Sequence, residues 1–173
     1  MHDINGEAGG QAGAYSFYTY RNYLRLISKG KFEIASYFPQ AYADGTHLRI
    51  RISMSAQDYI NNNADSTLIT QAIEQLMSAR PDLDASIFDA DKDGNVDNLL
   101  VIADLPKLPE NISFTPHANT DPGATIVGSG DNKRTIRAIT VLNGGGITSF
   151  DPSVAVHERL HTIGAADYYR GDG

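Results

Sequence analysis

Five residues within eleven positions carry the most chemistry in this chain: His157, Glu158, His161, Gly164 and Asp167, in the order H-E-x-x-H-x-x-G-x-x-D. Histidines four apart project from one helix face about a turn from each other, so both imidazoles can reach one ion. Their types suit Zn2+, which takes imidazole nitrogen and carboxylate oxygen and leaves a position open for water. Glu158, next to the first histidine, faces that water as a general base. Gly164 lets the chain turn sharply after the helix and swing Asp167 round as third ligand. The expected chemistry is hydrolysis. Zinc lowers the pKa of its water toward about 7 and polarises a carbonyl, while Glu158 takes the proton and passes it to a leaving amine.

Other residues compete for parts of this work. His117 and Asp172 are alternative third ligands, whereas no glutamate follows Glu158. Tyr168 or Tyr169 could hydrogen-bond a developing oxyanion. The plain alternative is a solvated helix with two surface histidines, but the surrounding sequence favours a built site. Asp151-Pro152 is a helix start, with Asp as cap and Pro at the first helical position. The helix is expected to run to Ile163, with Val156, Leu160 and Ile163 as its apolar stripe.

A second constellation lies upstream. Asp89-Ala90-Asp91-Lys92-Asp93-Gly94-Asn95-Val96-Asp97 puts oxygen donors at alternate positions with glycine sixth, the spacing of a Ca2+ loop. Asp89, Asp91, Asp93, Asn95 and Asp97 are the candidate ligands. Position twelve is Leu100 where an EF-hand has glutamate, and a strand is expected to follow, so the loop is not an EF-hand. Close carboxylates repel unless neutralised, which favours a cation.

These sites need a scaffold, and 173 residues with 41% apolar content suffice for one domain with a core. Residues 1–14, rich in Gly and Ala, are expected to form a flexible N-terminus, and residues 15–173 the domain. Helical spacing is read from Tyr15 to Ile27, ending at Lys29-Gly30, and again from Ser66 to about Met77, ending near Pro81. Strands are read at Phe32 to Phe38, Leu48 to Ile52, Leu99 to Ile102 and Ile136 to Leu142, with Asp44-Gly45 as a turn and Gly144-Gly145-Gly146 as a break. Residues 104–132 read as mostly loop. The Ile136 to Leu142 strand is a candidate to line the cleft and pair with an extended peptide.

Composition narrows the partners. Net charge is -7 and basic residues are sparse, which disfavours nucleic acid. No apolar run approaches the roughly 18 residues of a membrane span. The absence of cysteine removes disulfides, zinc fingers and thiol catalysis. The N-terminus shows no basic and apolar leader pattern. Arg170-Gly171-Asp172 is read as chance, the sequon Asn111-Ile112-Ser113 matters only in a eukaryotic secretory pathway, and no motif sets an oligomeric state.

Three blocks together make the chain resemble the immune inhibitor A family of secreted bacterial zinc metallopeptidases. They are Tyr18-Thr19-Tyr20-Arg21-Asn22-Tyr23 through Phe32, Phe88 through Asp97 with its strand, and His157 through Tyr168. The resemblance implies an α+β, zincin-like catalytic domain with a mixed twisted sheet and an active-site helix. It implies bound zinc and calcium, an extracellular setting, and protein or peptide substrates. By that resemblance His157 and His161 are ligands, Glu158 is the base, and Asp167 takes the acidic position after the glycine. Arg159-Leu160 departs from the family's usual pair inside the motif. Only six residues follow Asp167, and Met1, Met54 and Met77 all lie upstream, so the methionine turn of related zincins is missing. A domain lacking its C-terminal subdomain is therefore expected. The rival reading is a catalytically weak or inactive, calcium-stabilised, zinc-binding module that acts in binding or adhesion.

Overall fold

The computed structural model describes residues 20–37, 50–103, 105, 113–143 and 152–167. The expected flexible N-terminus, the Asp44-Gly45 turn, the triple glycine and the Asp151 cap lie outside the described residues. So do Asn111, Ile112 and the Arg170-Gly171-Asp172 tripeptide. What is described is a mixed α+β structure of helices around two small sheets.

Helix α1 spans Tyr20–Ile27 and buries Leu24, whose exposure is 2%. It ends where expected: Lys29 and Gly30 both take positive φ, and the Gly30 amide returns to the Arg25 carbonyl. Helix α2, Ala56–Asn62, was not expected. Its start is a capping arrangement, in which the Ser55 hydroxyl accepts from the Asp58 amide at 3.0 Å and donates to the Asp58 carboxylate at 2.6 Å. Asn63 closes it in the left-handed region, and α3 begins two residues later and runs Asp65–Ala79. Leu68, Ile69 and Ile73 recur at helical spacing and form its buried stripe.

Of two expected strands, the described parts, residues 32–37 and 50–52, enter no ladder among the described residues. Residues 32–37 alternate between half-buried and exposed. Around Arg51 the backbone is satisfied by side chains instead. Gln75 of α3 accepts from the Arg51 amide and donates to its carbonyl, and Gln71, one turn earlier, accepts from the Ser53 amide. Two glutamines at i, i+4 thus replace a neighbouring strand.

Among the described residues the strands are β1 Asn95–Val96, β2 Leu99–Ala103, β3 His117–Asn119, β4 Thr125–Val127, β5 Arg134–Ile136 and β6 Ile139–Asn143. The described part of residues 104–132 is mostly loop, as expected, interrupted by the short β3 and β4. The single strand expected over Ile136 to Leu142 is divided between β5 and β6, which enter different sheets. One sheet has the order β1-β5-β4 and the other β2-β6-β3, each with one parallel and one antiparallel pair.

β6 explains how the sheet is covered. It is central, and Ile139, Val141 and Leu142 are each at most 3% exposed. Side chains alternate across a strand. Ile139 and Val141 join Ile69, Ile73 and Tyr59 in one core cluster, while Leu142 joins Leu24, Ala155 and Val156 in the other. The second cluster brings α1 together with α4, Pro152–Thr162, which carries the candidate site. Because β6 is paired on both sides, it offers no free edge to a peptide. The edge strand beside α4 is β3, which corrects the expectation for the Ile136 to Leu142 strand. No helix among the described residues is long and apolar enough to cross a membrane.

Candidate metal centre

Helix α4 begins at Pro152, the expected first helical residue. Its buried face is Ala155, Val156, Glu158 and Arg159, with Leu160 partly buried; Ile163 is 51% exposed and so does not continue the expected stripe. His157 and His161 sit at the edge of that face with their rings partly open.

The helix ends in a glycine turn that builds half the site. Gly164 has φ 94°, its amide bonds the His161 carbonyl at 3.0 Å, and the Ala165 amide bonds the Leu160 carbonyl at 3.0 Å. This pair of bonds is a Schellman ending, which reverses the chain. The reversal brings the Ala165 carbonyl oxygen to 2.8 Å from His161 Nδ1. It also brings Asp167 Oδ1 to 3.1 Å from His161 Nε2 and 3.2 Å from His157 Nε2. The two Nε2 atoms are themselves 3.2 Å apart.

Three potential ligand atoms therefore form a nearly equilateral triangle. Two ligands on a tetrahedral zinc at its usual bond lengths stand about 3.3 Å apart, so the triangle has the right size. Its chemistry also fits. A carbonyl only accepts, so His161 Nδ1 carries the proton and a neutral ring leaves Nε2 with a lone pair. That lone pair faces a carboxylate oxygen, and such an array of acceptors calls for a proton or a metal cation at its centre. An imidazole whose second nitrogen is held by a carbonyl is the usual outer support of a metal-ligating histidine.

Glu158 is 8% exposed, and one of its carboxylate oxygens lies within 4.8 Å of a ring nitrogen of each histidine. His157, Glu158 and His161 form a group that could hold a metal ion, and the approaches of Asp167 to both histidines are short as well. Burial pushes the Glu158 carboxyl above its ordinary 4.5; charges on His157, His161 and His117 oppose this, and Asp167 adds to it. A cleft of about 580 Å³ opens here, walled by Tyr23 of α1, Thr115 and Pro116 before β3, and Val154, Val156, His157, Glu158 and Leu160 of α4.

The remaining candidates divide. His117 is not a ligand, because its nitrogens are engaged by Asp65 and by the Thr115 carbonyl. Tyr168, Tyr169 and Asp172 lie outside the described residues. In the aspartate loop, Asp89, Asp91 and Asp97 bring carboxylate oxygens within 4.8 Å of one another. Asp93 and Asn95 are turned to each other, since Asp93 accepts both the Asn95 amide and its side-chain N–H. The Asn95 oxygen accepts instead from Arg137 at 3.0 Å. Asp89 is buried and accepts from the Asp93 and Gly94 amides and from Arg134. Burial raises its pKa, but the hydrogen bonds from Gly94, Arg134 and Asp93 outweigh it and hold it below 3.8. Arg134 thus supplies part of the neutralisation that the sequence assigned wholly to a metal. The three converging carboxylates still fit a hard, oxygen-seeking cation such as calcium.

Two features carried weaker sequence signals. Buried Arg159 donates to the Asp97 carbonyl at 3.1 Å and to the Thr162 hydroxyl, tying α4 to the end of the aspartate loop. Its place inside the motif was the only hint. The network of Tyr59, Asp65, His117 and Asn119 joins residues up to 60 positions apart, and no local pattern announces it. No protein-family model, curated protein or solved structure matches the chain.

Proposed function

We propose that this protein is a zinc-dependent endopeptidase with a zincin-type catalytic domain, in keeping with its resemblance to the immune inhibitor A family, and that it acts on extracellular protein. One observation carries the reading: the 3.1–3.2 Å triangle of His157 Nε2, His161 Nε2 and Asp167 Oδ1, with buried Glu158 beside it. His157, His161 and Asp167 would hold the ion. When bound, zinc supplies a Lewis acid for a peptide carbonyl and a water of lowered pKa.

The chain's own residues do the rest. Glu158, kept from solvent and raised in pKa, accepts a proton at its carboxylate and returns it to the leaving amine. The bond from His161 to Ala165 holds that ring in its ligating tautomer. The apolar wall of Tyr23, Pro116, Val154 and Leu160 receives a substrate side chain and excludes water. The aspartate loop, proposed to hold calcium, is tied by Arg159 to α4 and so steadies the helix that presents both histidines.

The direct test is hydrolysis of a denatured protein such as casein by the zinc-loaded chain, with and without a zinc chelator. Cleavage that disappears on chelation and returns with zinc supports the proposal. Stoichiometric zinc with no cleavage of any substrate would return the chain to the reading as a binding module.

A further inference from the structure

Asp65 is the first residue of α3 and is 4% exposed, yet it is a carboxylate facing donors from two other elements. Tyr59 of α2 donates its hydroxyl at 2.7 Å, and Asn119 donates its side-chain N–H at 2.8 Å. His117 Nε2 lies 3.2 Å from each carboxylate oxygen. His117 and Asn119 are the first and last residues of β3, and positions two apart share a face. Asp65 therefore grips the edge strand at both ends.

The other nitrogen of His117 grips the cleft. Nδ1 is 3.0 Å from the carbonyl oxygen of Thr115, which with Pro116 forms the wall facing His157 and Glu158. A carbonyl and a carboxylate can only accept. Both bonds exist together only if both ring nitrogens carry hydrogen, so the His117 ring is an imidazolium. We infer that Asp65 and His117 are positioning residues for the cleft: they clamp β3 and the Thr115–Pro116 wall against α4, and they hold that wall only while His117 keeps both protons.

Loss of a proton breaks one of the two bonds. The carboxylate is the stronger partner, so Nε2 keeps its hydrogen and a lone pair on Nδ1 turns to face the Thr115 oxygen. The wall is then released. The ionisable groups facing the ring are Asp65 from α3, with Tyr59 of α2 behind it, and Glu158 from α4. The bond to Asp65 raises the pKa of His117 above 6.5 despite burial, and the Thr115 carbonyl with the charges of Asp65 and Glu158 adds to this. Release accordingly belongs to pH values above the raised pKa of the ring.

The role in catalysis rests on the peptidase reading, whereas the clamp is measurable without it. The experiment follows the zinc-loaded full chain from pH 5.5 to 9 by two readouts, imidazole 15N shifts and the KM and kcat of a peptide. Both nitrogens of His117 should read as protonated below its midpoint, and KM should rise about fivefold through that same midpoint while kcat changes less than about twofold. Asp65→Asn should move the midpoint down by about one unit and speed amide exchange of Ala118 and Asn119 about tenfold, with zinc content unchanged. Should that variant not fold, Tyr59→Phe removes a single donor to Asp65 and should shift both readouts in the same sense by less. A His117 ring that is singly protonated at pH 6, or exchange and midpoint unmoved in these variants, overturns the clamp. A wild-type chain that cleaves nothing overturns the peptidase reading instead, and the shifts and exchange still decide the clamp.

Discussion

His161 donates its Nδ1 hydrogen to the Ala165 carbonyl oxygen at 2.8 Å, so in the neutral ring the lone pair lies on Nε2, 3.1 Å from Asp167 Oδ1. The carbonyl and the carboxylate belong to the same short turn after α4. One glycine therefore controls both the tautomer of a ligand and the position of its neighbour.

Replacing that glycine tests the arrangement. Gly164 has φ 94°, and a Cβ there would meet nothing within 4 Å, so Gly164→Ala costs only backbone strain, about 1–2 kcal/mol. The strain falls on the turn that delivers Ala165 and Asp167. Zinc affinity, measured by competition with a chromophoric chelator, should drop about tenfold while the fold persists. Affinity equal to wild type would show that the turn does not position Asp167.

The Asp65–His117 pair gives stability a pH window. Burial raises the Asp65 carboxyl, but hydrogen bonds from His117, Asn119 and Tyr59 outweigh it and bring the pKa below 3.8. Its contribution is therefore present above 3.8 and lost as pH falls through the lowered value. His117 is raised above 6.5, so its contribution is complete below 6.5 and lost as pH rises through the raised value. Urea unfolding should place the full benefit between these limits. Asp65→Asn should cost about 2 kcal/mol inside the window, a figure set below that of a fully buried pair because His117 is partly open. Its cost should shrink on both flanks, and a pH-independent difference would contradict the pair.

Calcium should act on stability before it acts on chemistry. At a hundredfold excess over Kd, binding to the native loop adds about 2.7 kcal/mol. Thermal melts should therefore rise by several degrees with calcium and fall with a calcium-selective chelator. Asp91→Asn should remove most of that increment. Because Arg159 joins the Asp97 carbonyl to α4, calcium should also tighten zinc binding, and zinc tighten calcium binding by the same factor. Melts indifferent to calcium would contradict a calcium site in the loop.

The cleft wall implies a preference. Tyr23, Pro116, Val154 and Leu160 surround the approach to Glu158, so peptides with a bulky apolar side chain beside the cleaved bond should be the better substrates. Tyr23→Ala should lower kcat/KM for those peptides about fivefold and leave peptides with small side chains nearly unchanged. An equal loss on both classes would assign Tyr23 to stability.

Legibility in the sequence followed the distance between interacting residues. The pair His157 and His161, the base between them and the turn at Gly164 are all local, and helix geometry with a glycine ending converts their spacing into a site. The stripe of Leu68, Ile69 and Ile73 was readable for the same reason. Helix α2 carried a readable signal, Ser55 with Asp58 three residues on, beneath a polar stretch that hid it. By contrast, nothing near Arg51 says that a glutamine 24 positions away will hold its backbone amide and carbonyl. Nor does anything near His117 say that Asp65 will claim it before a metal can. The aspartate loop was half legible: its spacing converged Asp89, Asp91 and Asp97, while Arg134 and Arg137 from distant positions drew on Asp89 and Asn95.

The central claim is that Glu158 moves the proton while His157, His161 and Asp167 hold zinc. It is tested most directly by casein hydrolysis with wild type and Glu158→Gln at equal, stoichiometric zinc occupancy. The variant should keep its zinc content and lose at least about a hundredfold in rate. Equal rates at equal zinc would contradict the claim.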